Sequence, residues 1–173
     1  QFVSATLDEL STMLCLDPDR VTAVGLGTGA HMAGVLACRR SDRIAATVMV
    51  AGAYMPPTCS MPDPNPLFVL ASAGDRVLPP EGGFGALAPS KPEGVDQDYR
   101  PASVDETLAR WGQLAGCSPH PQAEVDPAGV TRTTYIDCDD DVSVSGTIAN
   151  LGEHGWPAES TSAILSFVLE QVR

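Results

Sequence analysis

The chain has 173 residues, 43% apolar and 18% charged, with 16 Gly and 15 Pro: one turn-rich domain with a core of its own, not a disordered segment. Ten basic residues against 22 acidic ones give a formal net charge of −12, and Lys91 is the only lysine, so no basic stripe awaits nucleic acid or an anionic membrane. No apolar run approaches the roughly 20 residues of a membrane span, and any export signal is expected upstream of Gln1.

In chain order, Val3, Leu7, Leu10 and Leu14 recur at helical spacing and predict an amphipathic helix over 3–14. After the turn residues Asp17, Pro18 and Asp19, the run at 20–26 reads as a strand, and glycines break it before a helix over 29–39. Two further short apolar runs, 44–51 and 66–72, read as strands. Residues 79–101 are a Pro- and Gly-rich loop insertion. Ser103 and Glu106 then form a capping box that opens a helix over 104–115, with Val104, Leu108, Trp111 and Leu114 on one face. Residues 130–137 and 142–149 alternate like an antiparallel pair or an edge strand around a turn at Asp139–Asp141. A closing helix is expected over 160–171, its apolar stripe of Ile164, Phe167 and Val168 continuing to Val172. The expected fold class is α/β, a mostly parallel sheet flanked by helices.

Three positions stand in the order nucleophile, acid, histidine. Gly25-Leu26-Gly27-Thr28-Gly29 lies between a strand and a helix, the setting of a G-x-S-x-G elbow, with Gly27 in the place of the serine. Gly25 and Gly29 fit a turn in which neighbouring backbone approaches closely. Asp75 follows the third strand, where a carboxylate orients a histidine, and His154 follows the last strand, where a general base belongs. Each also has a plain reading: a tight turn, a cap, a loop histidine. The same glycines fit G-x-G-x-x-A of dinucleotide-binding folds, but the next strand ends Ala51-Gly52-Ala53-Tyr54 without the acid that holds a ribose. Asp137, Asp139, Asp140 and Asp141 lack the glycine and late glutamate of a calcium loop and read as a solvated turn. His31 falls on the helix surface or against the elbow, and His120 in a Pro-rich loop. No metal or cofactor is expected.

Five cysteines, Cys15, Cys38, Cys59, Cys117 and Cys138, without a CxxC pair point to an oxidising compartment and two disulfides, with the fifth left for a partner on a segment outside this chain.

Taken together, LCLDPDRVTAVGLGTGAHMAGVLACRRSDRIAATVMVAGAY, LFVLASAGDRVLPPEGG, ETLARWGQLAGC and EHGWP resemble the secreted polyhydroxybutyrate depolymerase and feruloyl esterase family of α/β-hydrolases, almost end to end. The resemblance implies Asp75 as triad acid, His154 as triad base, the Thr28 N–H as one oxyanion donor, and a Cys117–Cys138 disulfide. It leaves Cys38 to bridge either Cys15 or Cys59. The chain departs from the family pattern in Gly27, in Thr28 where Asn is usual, and in Ala71-Ser72-Ala73 where H-G-T is usual.

The resemblance also implies one domain, 1–173, that lacks the N-terminal strands of the fold. An upstream segment or another protein chain is then expected to cover the edge of the strand at 20–26. The expected function is that of a degenerate, secreted or cell-surface esterase homologue without activity. The alternatives are an assembly protein that uses the inherited fold for contacts, and an active serine esterase inactivated by an engineered Gly27. In the first case Asp75 and His154 lie within hydrogen-bond reach, facing Gly27 across an empty space the size of a hydroxymethyl group.

Overall fold

The computed structural model describes residues 2–89, 98–157 and 160–171. In order, the elements are α1 (Phe2–Met13), β1 (Thr22–Leu26), α2 (Thr28–Arg39), β2 (Ala46–Val50), β3 (Leu67–Ser72), α3 (Val104–Leu114), β4 (Gln122–Val125), β5 (Thr131–Tyr135), β6 (Val144–Ala149) and α4 (Ser160–Glu170). One mixed six-stranded sheet runs β1-β2-β3-β6-β5-β4. The first four in that order are parallel neighbours, and β5 and β4 continue the sheet antiparallel. The α/β class read from the strand and helix alternation is the class observed.

Both faces of β2 and β3 are covered, so these strands are apolar without alternation. On one face Met49, Leu67, Val69 and Val144 meet Ala30 and Ala37 of α2 and Leu108 and Trp111 of α3. On the other, Val48, Val50 and Leu70 meet Ile164 of α4, and Phe68 packs against Phe167 with ring centroids 5.5 Å apart. Trp111 is fully buried and donates its Nε1–H to the Asn65 carbonyl at 2.8 Å, so its polar atom is satisfied in the core. The capping box forms: Ser103 accepts from the Glu106 N–H, and Glu106 accepts from the Ser103 N–H.

The β5–β6 pair is antiparallel as its alternation predicts, with a short 3-10 turn at Asp139–Asp141. Strand β4 is not signalled by the sequence, because its four residues are all exposed and carry no apolar alternation. Asp126 builds the β4–β5 turn, accepting from the N–H groups of Ala128 and Val130. Val172, expected on the α4 stripe, and 90–97 of the loop insertion lie outside the described residues.

Helix α1 forms, but it buries none of its residues; Phe2 and Met13 are exposed, as is Leu14 just beyond the helix. Polar contacts tether it to the end of α2: Arg43 pairs with Asp8 at 2.7 Å, and Arg40 donates to the Ser4 hydroxyl. The outer edge of β1 has no strand partner among the described residues, and Val24 and Leu26 on it are exposed.

Disulfides join Cys38 to Cys59 and Cys117 to Cys138, and Cys15 is free and exposed. The pairing of Cys38, open from sequence, falls to Cys59. Each bond closes a span of 21 residues, which stabilises the fold by about 3 kcal/mol on chain entropy alone.

Leu108 is wholly buried between α3 and β6, where Gly146 has no side chain to hold it away. Leu108→Ala is expected to lower unfolding free energy by about 2–5 kcal/mol, read as a shifted urea midpoint at unchanged slope. A loss below about 1 kcal/mol would contradict this packing.

Candidate active site

Parallel strands release their chain at the same edge of the sheet, so the residues following β1, β3 and β6 gather there. Gly27, Asp75 and His154 are those residues, and the structure brings all three together.

Asp75 has a side chain with no exposed surface. Its Oδ1 accepts from the N–H groups of Val77 and Leu78 at 2.8 and 2.9 Å, and its Oδ2 lies 2.8 Å from His154 Nδ1. With Oδ1 engaged by two backbone donors and Oδ2 by Nδ1, Nε2 is the ring nitrogen turned away from the carboxyl. The His154 side chain is about one quarter exposed, and Nε2 points at Gly27.

Gly27 adopts φ +57° and ψ −116°, a conformation open to glycine and strained for any other residue. Its N–H donates to Val50 O at 2.9 Å, and its carbonyl accepts from Ala30 and His31, so the turn is tied to β2 and starts α2 in one step. Gly52 presses on it from behind: a Cβ there would meet the Gly27 carbonyl at 2.9 Å. Thr28 is the first residue of α2, so its N–H belongs to the donors with no intrahelical acceptor. Its side chain is exposed.

Two expectations need correction. The space between Gly27 and His154 is not empty: a Cβ on Gly27 would lie 2.9 Å from His154 Nε2 and 3.3 Å from Cε1. The imidazole edge stands close enough that a side chain at position 27 would require the ring to shift. The elbow glycines are also not equivalent. A Cβ on Gly25 would collide with the Gly29 carbonyl, whereas a Cβ on Gly29 would meet nothing within 4 Å.

His31 lies one turn into α2 with its ring 5.0 Å from Tyr54, which in turn meets Tyr99, and Tyr99 meets Phe84. Burial holds the His31 imidazole below its ordinary value and pushes the Tyr99 hydroxyl up to about 12. This aromatic group went unseen in the sequence because its members stand far apart in the chain. His120 is exposed and remote from the trio in sequence. Among the described residues no cluster of His, Cys, Asp or Glu is arranged to hold a metal ion. Asp137, Asp140 and Asp141 instead take left-handed backbone conformations in the β5–β6 connection.

No family model matches the chain. It is 30% identical over 164 residues, 90% of its length, to a protein named putative esterase NocK from Nocardia uniformis subsp. tsuyamanensis, of which it spans 48%. It is 24% identical over 166 residues to feruloyl esterase B from Piromyces equi, covering 89% of this chain and 28% of that one. The chain has an esterase-like ancestry. It spans about half the length of the first relative and little more than a quarter of the second.

Gly25→Ala should cost about 1–3 kcal/mol, because the obstructing atom is backbone and cannot swing away; Gly29→Ala should be neutral or slightly stabilising. Equal effects of the two on the urea midpoint would contradict the elbow geometry. For His31, a folded value below the ordinary 6.5 means that the unfolded chain takes up its proton first. The stability it contributes is therefore present above about pH 6.5 and lost as pH falls through the folded value. His31→Phe should flatten the melting-temperature profile in that window, and an unchanged acid slope would contradict the assignment.

Proposed function

We propose that the chain is an esterase homologue that keeps the acid and base of a hydrolytic triad and has lost its nucleophile. The observation carrying this reading is the Asp75–His154 hydrogen bond, aimed across a glycine in an elbow conformation. In an intact triad the hydroxyl attacks the acyl carbon, the histidine takes the proton and returns it to the leaving alcohol, and the carboxylate steadies the imidazolium. Here Asp75 and His154 stand ready for those proton transfers, the Thr28 N–H is available to a developing oxyanion, and no atom is present to form the acyl bond. Loss of the nucleophile alone removes about six orders of magnitude in turnover. Thr28 is no substitute, because the residue after the nucleophile turns its amide, not its hydroxyl, toward the substrate.

The polyhydroxybutyrate depolymerase side of the resemblance belongs to this proposal, as does the placing of the whole chain within a single α/β-hydrolase-like domain. The relative named feruloyl esterase and the two disulfides favour an extracytoplasmic setting. A second reading is favoured by the exposed Val24 and Leu26 of β1, whose outer edge has no strand partner among the described residues: the inherited sheet edge takes a further strand from an upstream segment or another chain, and the fold serves in assembly. No nucleic-acid partner is proposed for so acidic a chain.

Purified protein is expected not to hydrolyse short aryl esters above the buffer rate. Gly27→Ser is expected to restore turnover only where a second oxyanion donor is supplied from outside the chain and the His154 ring withdraws from the Cβ position. Robust hydrolysis by the unaltered chain, abolished by His154→Ala, would overturn the reading.

A further inference from the structure

The ladder between β3 and β6 ends where the Ala73 N–H donates to the Ala149 carbonyl at 2.9 Å. Beyond that bond the chain on one side turns toward Asp75 and on the other toward His154, nearly 80 residues apart in sequence. The Ser72 hydroxyl sits in the fork. It donates to the Gly152 carbonyl at 2.6 Å and accepts from the Leu151 N–H at 3.2 Å and the Gly74 N–H at 3.3 Å. A hydroxyl offers one proton and two lone pairs, and all three are used, two on the histidine side and one on the acid side. The side chain is buried, so water does not replace these bonds cheaply. The Asp75 N–H donates to the Ser72 carbonyl at 3.1 Å, so this residue also closes the turn that carries the acid. The two loops touch closely here: a Cβ on Gly74 would stand 3.1 Å from the Gly152 carbonyl.

We propose that Ser72 is a positioning residue for the His154–Asp75 pair, fixing the spacing of the acid and histidine loops through its hydroxyl. This inference rests on the dyad reading given above. Ser72 falls within Ala71-Ser72-Ala73, the segment that departs from the H-G-T pattern, so the departure brings a staple with it.

The test is proton NMR of the full, oxidised chain, following the low-field resonance of the His154 Nδ1–H, assigned by its loss in His154→Ala. In Ser72→Ala this proton should broaden or exchange at least about tenfold faster, as expected when a hydrogen bond of ordinary strength is lost. Ser72→Thr, which keeps the hydroxyl, should restore it. Thr47→Ala is the control, since it removes another buried hydroxyl, bonded to Asn65 at the opposite end of the sheet, and should leave the resonance unchanged. A wild-type resonance that persists unaltered in Ser72→Ala would overturn the role of Ser72 while leaving the dyad intact. If Thr47→Ala disturbs it as much as Ser72→Ala, the effect is general destabilisation and the inference fails. Absence of the resonance from the wild-type chain would overturn the dyad reading, and the inference with it.

Discussion

Four parallel strands side by side, β1, β2, β3 and β6, deliver their C-terminal ends to one edge of the sheet, and the rest of the molecule is arranged around that constraint. It sets Gly27, Asp75 and His154 facing one another although 48 and 79 residues separate Asp75 from the other two in the chain. Burial on both faces holds the strand ends in register, with Trp111 and Leu108 on one side and Ile164 on the other. The fine geometry comes afterwards, from short polar contacts: backbone donors on Asp75, the elbow N–H on Val50, and the Ser72 hydroxyl between the two loops.

A glycine is the least strained residue at φ +57° and ψ −116°, so any side chain at position 27 would be held against backbone strain. His154 lies close against Gly27 while keeping its bond to Asp75, so acid, histidine and elbow form one frame. A side chain at Gly27 would need both the strained backbone conformation and a shift of the His154 ring.

Much of this was legible in the sequence because it depended on local pattern. The strand–glycine–helix break located the elbow, the capping box located α3, and the placement of Asp75 and His154 just after strands pointed to a shared edge. What stayed hidden depended on contacts between distant segments. Strand β4 has no buried residue and hence no alternation. The Cys38–Cys59 pairing needed the path of the chain after β2. Ser72 looked like a substitution in a motif because its partners, Leu151 and Gly152, lie nearly 80 residues away. The approach of the His154 ring to Gly27 is a tertiary contact that no local pattern encodes.

The proposed loss of the nucleophile is open to covalent labelling of the site. Intact-mass spectrometry after exposure to an alkyl fluorophosphonate should show the unmodified chain, since no hydroxyl stands at position 27 to be phosphonylated. A stoichiometric adduct on Thr28 or any other hydroxyl, prevented by His154→Ala, would place a working nucleophile in the site and overturn the proposed function.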